Sequence, residues 1–179
     1  MLHHRLRAVT TASGLVPIVP TSIAGGGDHS LALKDDFTVV AWGADYFGQS
    51  SVPGGLTDVV QVAGGDYHSL AVKDDGTVVA WGYDVDGQAT VPAGLTGVVQ
   101  VAGGNDHSLA LRDDGTVVAW GSNGSGRSTV PAGLTDVVQV AGGGSHSLAL
   151  KDDGTVVAWG DDGDGQSSVP SGLVAYVPD

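Results

Sequence analysis

Four histidines stand at one constant interval: His29, His68, His107 and His146 are each 39 positions from the next. Imidazole is a good ligand for zinc, copper or nickel, and four-fold repetition would turn four such rings toward a common axis. Each ring, however, follows the same Gly-Gly and precedes the same Ser-Leu-Ala. The expectation is therefore a scaffold role, each histidine pinning its own unit by a hydrogen bond to a neighbouring backbone group. Asp-Asp pairs recur with the same period, at Asp35/Asp36, Asp74/Asp75, Asp113/Asp114 and Asp152/Asp153. Paired carboxylates can do acid–base work, but three of these pairs precede glycine in a turn signal, where aspartate serves geometry. An active site also needs an asymmetry that identical repetition does not supply.

The loops after the tryptophans are the variable part of the chain. Two carry Asp-x-Asp-Gly, at Asp84/Asp86 and Asp162/Asp164. Alternating carboxylates suit calcium, which takes about six to eight oxygens. The third carboxylate and the distant glutamate of a full calcium loop are missing, so a solvated turn is expected and calcium is the one minor candidate cofactor. Tyr46, Phe47, Tyr67 and Tyr83 occupy variable loop positions near the first two units and are the candidate binding residues. No nucleophile elbow, phosphate loop or His-Glu-x-x-His occurs. Each histidine and its following serine point to opposite faces of a strand. No catalytic residue emerges, and a non-enzymatic chain is expected.

The elements that must position these residues also repeat. Val59-Val-Gln-Val62 reads as a short strand stopped by Gly64-Gly65. His68–Lys73 alternates, with Leu70 and Val72 on one face and Ser69 and Ala71 on the other. Asp74-Asp75-Gly76 is a strong hairpin signal, and Thr77–Trp81, apolar on both faces, suits a doubly covered strand. Gln88–Pro92 supplies a weaker fourth strand whose proline fits an edge. Four short strands make one small sheet with two apolar faces, and such sheets must stack on neighbours. Radial stacking gives a β-propeller with short, protected edges. The predicted fold is thus all-β, a propeller of four 39-residue, four-stranded antiparallel blades, with Trp42, Trp81, Trp120 and Trp159 between blades.

The ends share one phase of the repeat. Ser13-Gly-Leu-Val-Pro-Ile-Val-Pro20 is echoed by Ser171-Gly-Leu-Val-Ala-Tyr-Val-Pro178. Residues 1–20 are read as a segment contributing a blade-completing strand, 21–173 as the four repeats, and 174–179 as an overlap. One chain closes a four-bladed ring, two chains complete an eight-bladed ring, or chains join head to tail; self-association is favoured, because four sheets leave wedge-shaped gaps.

Composition narrows the partners. Twenty acidic residues against seven basic give a net charge of −13, which disfavours nucleic acid and anionic membrane and favours cations or basic proteins. With no cysteine there is no disulfide or thiolate chemistry. No stretch approaches the roughly 20 apolar residues of a membrane span. Met1–Arg7 and Ser22-Ile23-Ala24 have signal-peptide traits, but the stretch between them is broken by Thr10, Thr11, Ser13, Pro17 and Pro20. The compartment stays open between cytoplasmic and secreted.

The string Gly64-Gly65-x-x-His68-Ser-Leu-Ala-Val-Lys-Asp-Asp-Gly-Thr-Val-Val-Ala-Trp81-Gly82, closed by Gly87-Gln88, resembles the repeat of the regulator of chromosome condensation family, in its short bacterial form. The resemblance runs from about Gly14 to Leu173. It implies a β-propeller, usually of seven blades with longer repeats, whereas this chain has four of 39 residues. The best-known member exchanges nucleotide on a small GTPase and docks on chromatin through a wedge and loops that this chain does not carry. Fold alone does not assign function. The expectation is a non-enzymatic scaffold for protein–protein interaction and self-assembly, its partner another protein or itself. The alternative is a secreted, lectin-like glycan-binding propeller, which requires exposed aromatics in equivalent pockets of several blades.

Overall fold

The computed structural model describes residues 8–12, 14–17 and 21–177, and every regular element among them is a β-strand. The signal-like residues 1–7 and part of the expected blade-completing segment lie outside that set. β1 (Ala8–Thr11) and β2 (Gly14–Pro17) form a separate two-stranded sheet. That hairpin is tethered to the third repeat by Thr10 N, which donates to Asp113 O at 2.7 Å.

Each repeat then builds one antiparallel meander. The first holds β3 (Ile23–Gly25), β4 (His29–Leu33) and β5 (Val39–Gly43); the second, β6 (Val59–Gly64), β7 (His68–Lys73) and β8 (Val78–Gly82). The third holds β9 (Val98–Gly103), β10 (His107–Arg112) and β11 (Val117–Gly121); the fourth, β12 (Val137–Gly142), β13 (His146–Lys151) and β14 (Val156–Gly160). The hairpin between β7 and β8 is set by Asp75, whose Oδ1 accepts from Thr77 N at 2.9 Å and Thr77 Oγ1 at 2.6 Å. Gly76 takes a φ of 81°, in the region glycine enters freely. Phe37 adopts 62° at the same place in the first repeat, so that turn keeps its shape with a residue that disfavours it. The Asp-Asp pairs are turn formers, as their position implied.

The expected fourth strand does not form. Asp84 accepts from Ala89 N at 2.7 Å and Thr90 Oγ1 at 2.6 Å, while Gln88 Oε1 accepts from Asp86 N at 3.0 Å. These side-chain acceptors hold Gln88–Pro92 in successive turns, in competition with a sheet ladder. The blades are three-stranded, not four-stranded.

The sheets stack in chain order, in the manner of propeller blades. Ala71, Val79 and Trp81 pack back on Leu31 and Val39 of the first repeat, while Leu70, Val72 and Val78 pack forward on Val98, Val101 and Trp120 of the third. The central strand is therefore buried on both faces, from His68 to Val72. Trp81, Trp120 and Trp159 are each 7% exposed, as expected of inter-blade core. Trp42 is not: it is 53% exposed, because among the described residues no sheet packs on that face of the first repeat. Among the described residues an open face is left at each end of the stack.

Candidate functional site

Two arrangements concentrate polar chemistry: the seams between repeats, and one rim of the stack. At each seam a histidine reaches forward rather than into its own unit. His29 Nε2 lies 2.8 Å from Ser69 Oγ, His68 Nε2 2.9 Å from Ser108 Oγ, and His107 Nε2 2.9 Å from Ser147 Oγ. Each serine in turn donates to a carbonyl of the repeat behind it: Ser69 to Gln49 O at 2.8 Å, Ser108 to Gln88 O at 2.8 Å, Ser147 to Arg127 O at 2.9 Å. The same carbonyls also accept Trp81, Trp120 and Trp159 Nε1, at 2.8 to 2.9 Å. The expectation that each histidine pins its own blade through a backbone group is thus corrected. It pins the next blade, through a serine hydroxyl.

This network fixes the tautomer. A hydroxyl has one proton, and the serine spends it on the carbonyl. The histidine must therefore donate from Nε2–H, leaving Nδ1 bare. Nδ1 of His29, His68 and His107 is buried without a partner, so a proton there would find no acceptor. Burial accordingly lowers the pKa of His68 and of His107 to about 4, and that of His29 in the same direction. The histidine–serine pair resembles a base and nucleophile only in composition. The ring donates, the hydroxyl is committed, and His68 and Ser108 are fully buried.

Replacing Ser108 by Ala should cost about 1–3 kcal/mol, because His68 Nε2–H loses its acceptor in a buried site. Ser30→Ala, at the equivalent position of the open first face, should change stability by less than about 0.5 kcal/mol in dilute solution. Thermal melts of the two variants at low protein concentration check the contrast.

The glycine pairs make room for these rings. A Cβ on Gly65 would stand 2.0 Å from His68 Cε1, and one on Gly104 would overlap His107 likewise. The four Gly-Gly segments, with Asp66 and Asn105, line a shallow depression of about 240 Å³ on the axis side.

The rim is built by the variable loops. Phe47, Tyr67 and Tyr83 form one cluster, with ring centroids 5.4 Å apart for Phe47–Tyr67, 4.7 Å for Phe47–Tyr83 and 6.3 Å for Tyr67–Tyr83. Tyr83 N donates to Tyr67 O at 2.9 Å, a backbone link present in every repeat, and Phe47 comes from the preceding unit. Asp45 holds Phe47's loop by accepting from Ser50 N at 2.8 Å and Ser51 Oγ at 2.6 Å. Tyr46 is 86% exposed and belongs to none of these ring contacts among the described residues. The neighbourhood is anionic: Asp66 first, then partial burial and Asp28, push the Tyr67 phenol above its ordinary value. At the equivalent places in the third and fourth repeats stand Ser125 and Asp164, Asp106 and Ser145, Ser122 and Asp161, so the aromatic cluster occurs once.

The other candidates, in the loops after Trp81 and Trp159, are engaged in holding their own turns. Both carboxylate oxygens of Asp162 accept, from Ser167 N at 2.8 Å and Ser168 Oγ at 2.7 Å, just as Asp84 is engaged in the second repeat. Asp86 and Asp164 direct their own N–H groups to Gln88 and Gln166 Oε1, the latter at 2.8 Å. Among the described residues no group of three or more His, Cys, Asp or Glu is gathered to hold a metal ion.

Comparison with known proteins agrees with this arrangement. The regulator of chromosome condensation (RCC1) repeat matches residues 21–49, 59–88, 98–127 and 137–166. No curated protein matches the chain. Among solved structures it is similar to Prp20p of Saccharomyces cerevisiae, with a TM-score of 0.69 and 25% identity over 88% of this chain and 50% of that one. That structure is described together with binding to Gsp1p and histones. Human WBSCR16 gives 0.68 and 27% identity, over 87% of this chain and 50% of that one. The ectodomain of the Physcomitrella patens receptor kinase CR4 shares the fold at 0.67 and 24% identity, over 80% and 42%. The chain spans about half the length of the structures it matches.

Proposed function

This chain belongs to the regulator of chromosome condensation repeat family, and from that premise we propose that it is a non-enzymatic scaffold that binds protein through its aromatic rim and assembles through its end faces. The observation that carries the binding role is the single cluster of Phe47, Tyr67 and Tyr83. Adjacent repeats gather three aromatics on one rim and surround them with Asp28, Asp66 and Asp106. Aromatic faces in a field of carboxylates favour Lys and Arg side chains, each cation–π contact being worth about 0.5–1 kcal/mol at an exposed site. The fitting partner is a protein with a basic segment, consistent in class with the protein ligands described for Prp20p. Tyr46 stands beside the patch as an exposed ring that a partner could cover.

A short Lys/Arg-rich peptide titrated into the chain and followed by calorimetry tests this reading. Binding should weaken at least tenfold, about 1.4 kcal/mol, in a Phe47→Ala/Tyr83→Ala variant that melts like the parent. Equal binding by that variant, or preference for a Glu-rich control peptide, would reject the rim as the site. The glycan-binding alternative calls for the same aromatic pocket in several repeats, and the described residues hold it at one seam.

A further inference from the structure

We propose that two copies of this chain join head to tail, the open face of one copy's first repeat seating on the open face of another copy's fourth, through the contacts that already join repeats within the chain. This rests on the self-assembly part of the proposed function and gives it an address.

Three seams within one molecule define what a repeat face requires. The leading face offers a histidine and a loop carbonyl at all three seams, and at two of them a glutamine from the first strand of the meander. The trailing face answers with a serine, a tryptophan and the backbone of a first-strand valine. Gln61 Nε2 donates to Val101 O at 3.0 Å while its Oε1 accepts from Val101 N at 2.7 Å, and Gln100 does the same with Val140 at 3.1 and 2.9 Å. The fourth repeat presents the complete leading set in His146, the carbonyl of Gln166 and the exposed Gln139. The first repeat presents the complete trailing set in Ser30, Trp42 and Ile23, which stands where Val62, Val101 and Val140 stand.

The apolar surface tells the same story. Val62, Val101 and Val140 are at most 2% exposed, whereas Ile23 is 73% exposed and Val40, beside Trp42, is 44% exposed. On the other face Val169 and Leu173 are 36% and 46% exposed, at the places where Val130 and Leu134 pack against the fourth repeat. Leu148 occupies the position of Leu109, which is fully buried by the following sheet. The two faces are unlike each other but each matches the other's partner, so the contact is heterologous. The occupant that fits is a second copy. Two copies also make up the length of the solved relatives, of which one chain covers 50%.

The experiment uses the full chain in light scattering and sedimentation over a range of concentrations. Wild type should exceed 17.8 kDa as concentration rises. Trp42→Arg and Leu148→Arg should each raise the half-association concentration at least tenfold, with Leu173→Arg as a milder second variant if Leu148→Arg melts early. Mixing Trp42→Arg with Leu148→Arg should then restore a two-chain species, because one copy keeps an intact first face and the other an intact fourth. If wild type associates but the Arg variants associate equally well, the joint is wrong while self-assembly stands. If the mixture stays at the mass of one chain, a head-to-tail contact is overturned. Wild type remaining monomeric throughout would overturn the joint and the self-assembly reading together, leaving other occupants for these faces.

Discussion

Acidification from pH 7 to pH 4 should strip most of the stability from this chain through its buried histidines. His68 and His107 have pKa values lowered to about 4 by burial, with neighbouring cationic groups adding to the effect. In the unfolded chain a histidine takes its proton near pH 6.5. Between those values the unfolded state binds protons that the folded state refuses, so folding free energy falls as pH falls. Above about pH 6.5 neither state is protonated, and below about 4 both are, so the loss is confined to that window. A shift of this size is worth about 3 kcal/mol per histidine, and the two together are comparable with the roughly 5–15 kcal/mol stability of an ordinary domain.

Denaturant melts at intervals across pH 4–7 check it. The midpoint should be flat near neutrality and drop steeply toward acid. His68→Gln should be less stable at pH 7 and should show a shallower fall. A wild-type midpoint unchanged down to pH 4.5 would contradict the bare-Nδ1 assignment. A second, separate loss belongs below pH 4, where carboxylates held low begin to protonate. Asp36, kept at about 2 by Thr38 and Lys34, is one of these.

Gly103→Ala should be among the most damaging single substitutions available. A Cβ there would stand 2.6 Å from Gly65 N, 2.7 Å from Gly64 O and 2.7 Å from Gly65 Cα. All three are backbone atoms of the neighbouring innermost strand, so no side chain can swing away. Relief requires the second and third blades to separate, opening the seam that holds His68 and Trp120. We expect a loss of about 3 kcal/mol, at the upper end of overpacking effects, or roughly 6–12 °C in melting temperature. Gly54→Ala is the internal control: nothing lies within 4 Å of its Cβ, and it should leave the melt unchanged. Equal melting of the two variants would mean that the blades are not held at this spacing in solution.

Much of this was legible in the residues. The strand alternation of His68–Lys73, the Asp75-Gly76 hairpin and the tryptophan positions all appear in the sheet as their local chemistry requires. The loop aromatics were legible as exposed candidates, and three of the four meet. Their meeting depends on Phe47 lying across a seam from Tyr67 and Tyr83, which no local pattern encodes. The missing fourth strand failed for a local reason: Asp84 and Gln88 offer acceptors that hold the backbone in turns. The histidine's true partner was hidden because it lies 40 positions away, in the next repeat rather than beside the ring. A signal was present in the period itself, since His and Ser are adjacent in every unit and a shift of one repeat brings them together.

The sequence by itself determined the unit: its length, its hairpin, its two apolar faces and its family, because these depend on neighbours a few bonds apart and recur four times. It did not determine which faces are covered. Trp42 and Trp120 share nearly the same surroundings along the chain, yet one is half exposed and the other buried. Burial, the lowered histidine pKa and the shared carbonyl acceptor belong to pairs of repeats. Only the stacking of one sheet on the next decides where such a pair exists and where a face is left to meet another molecule.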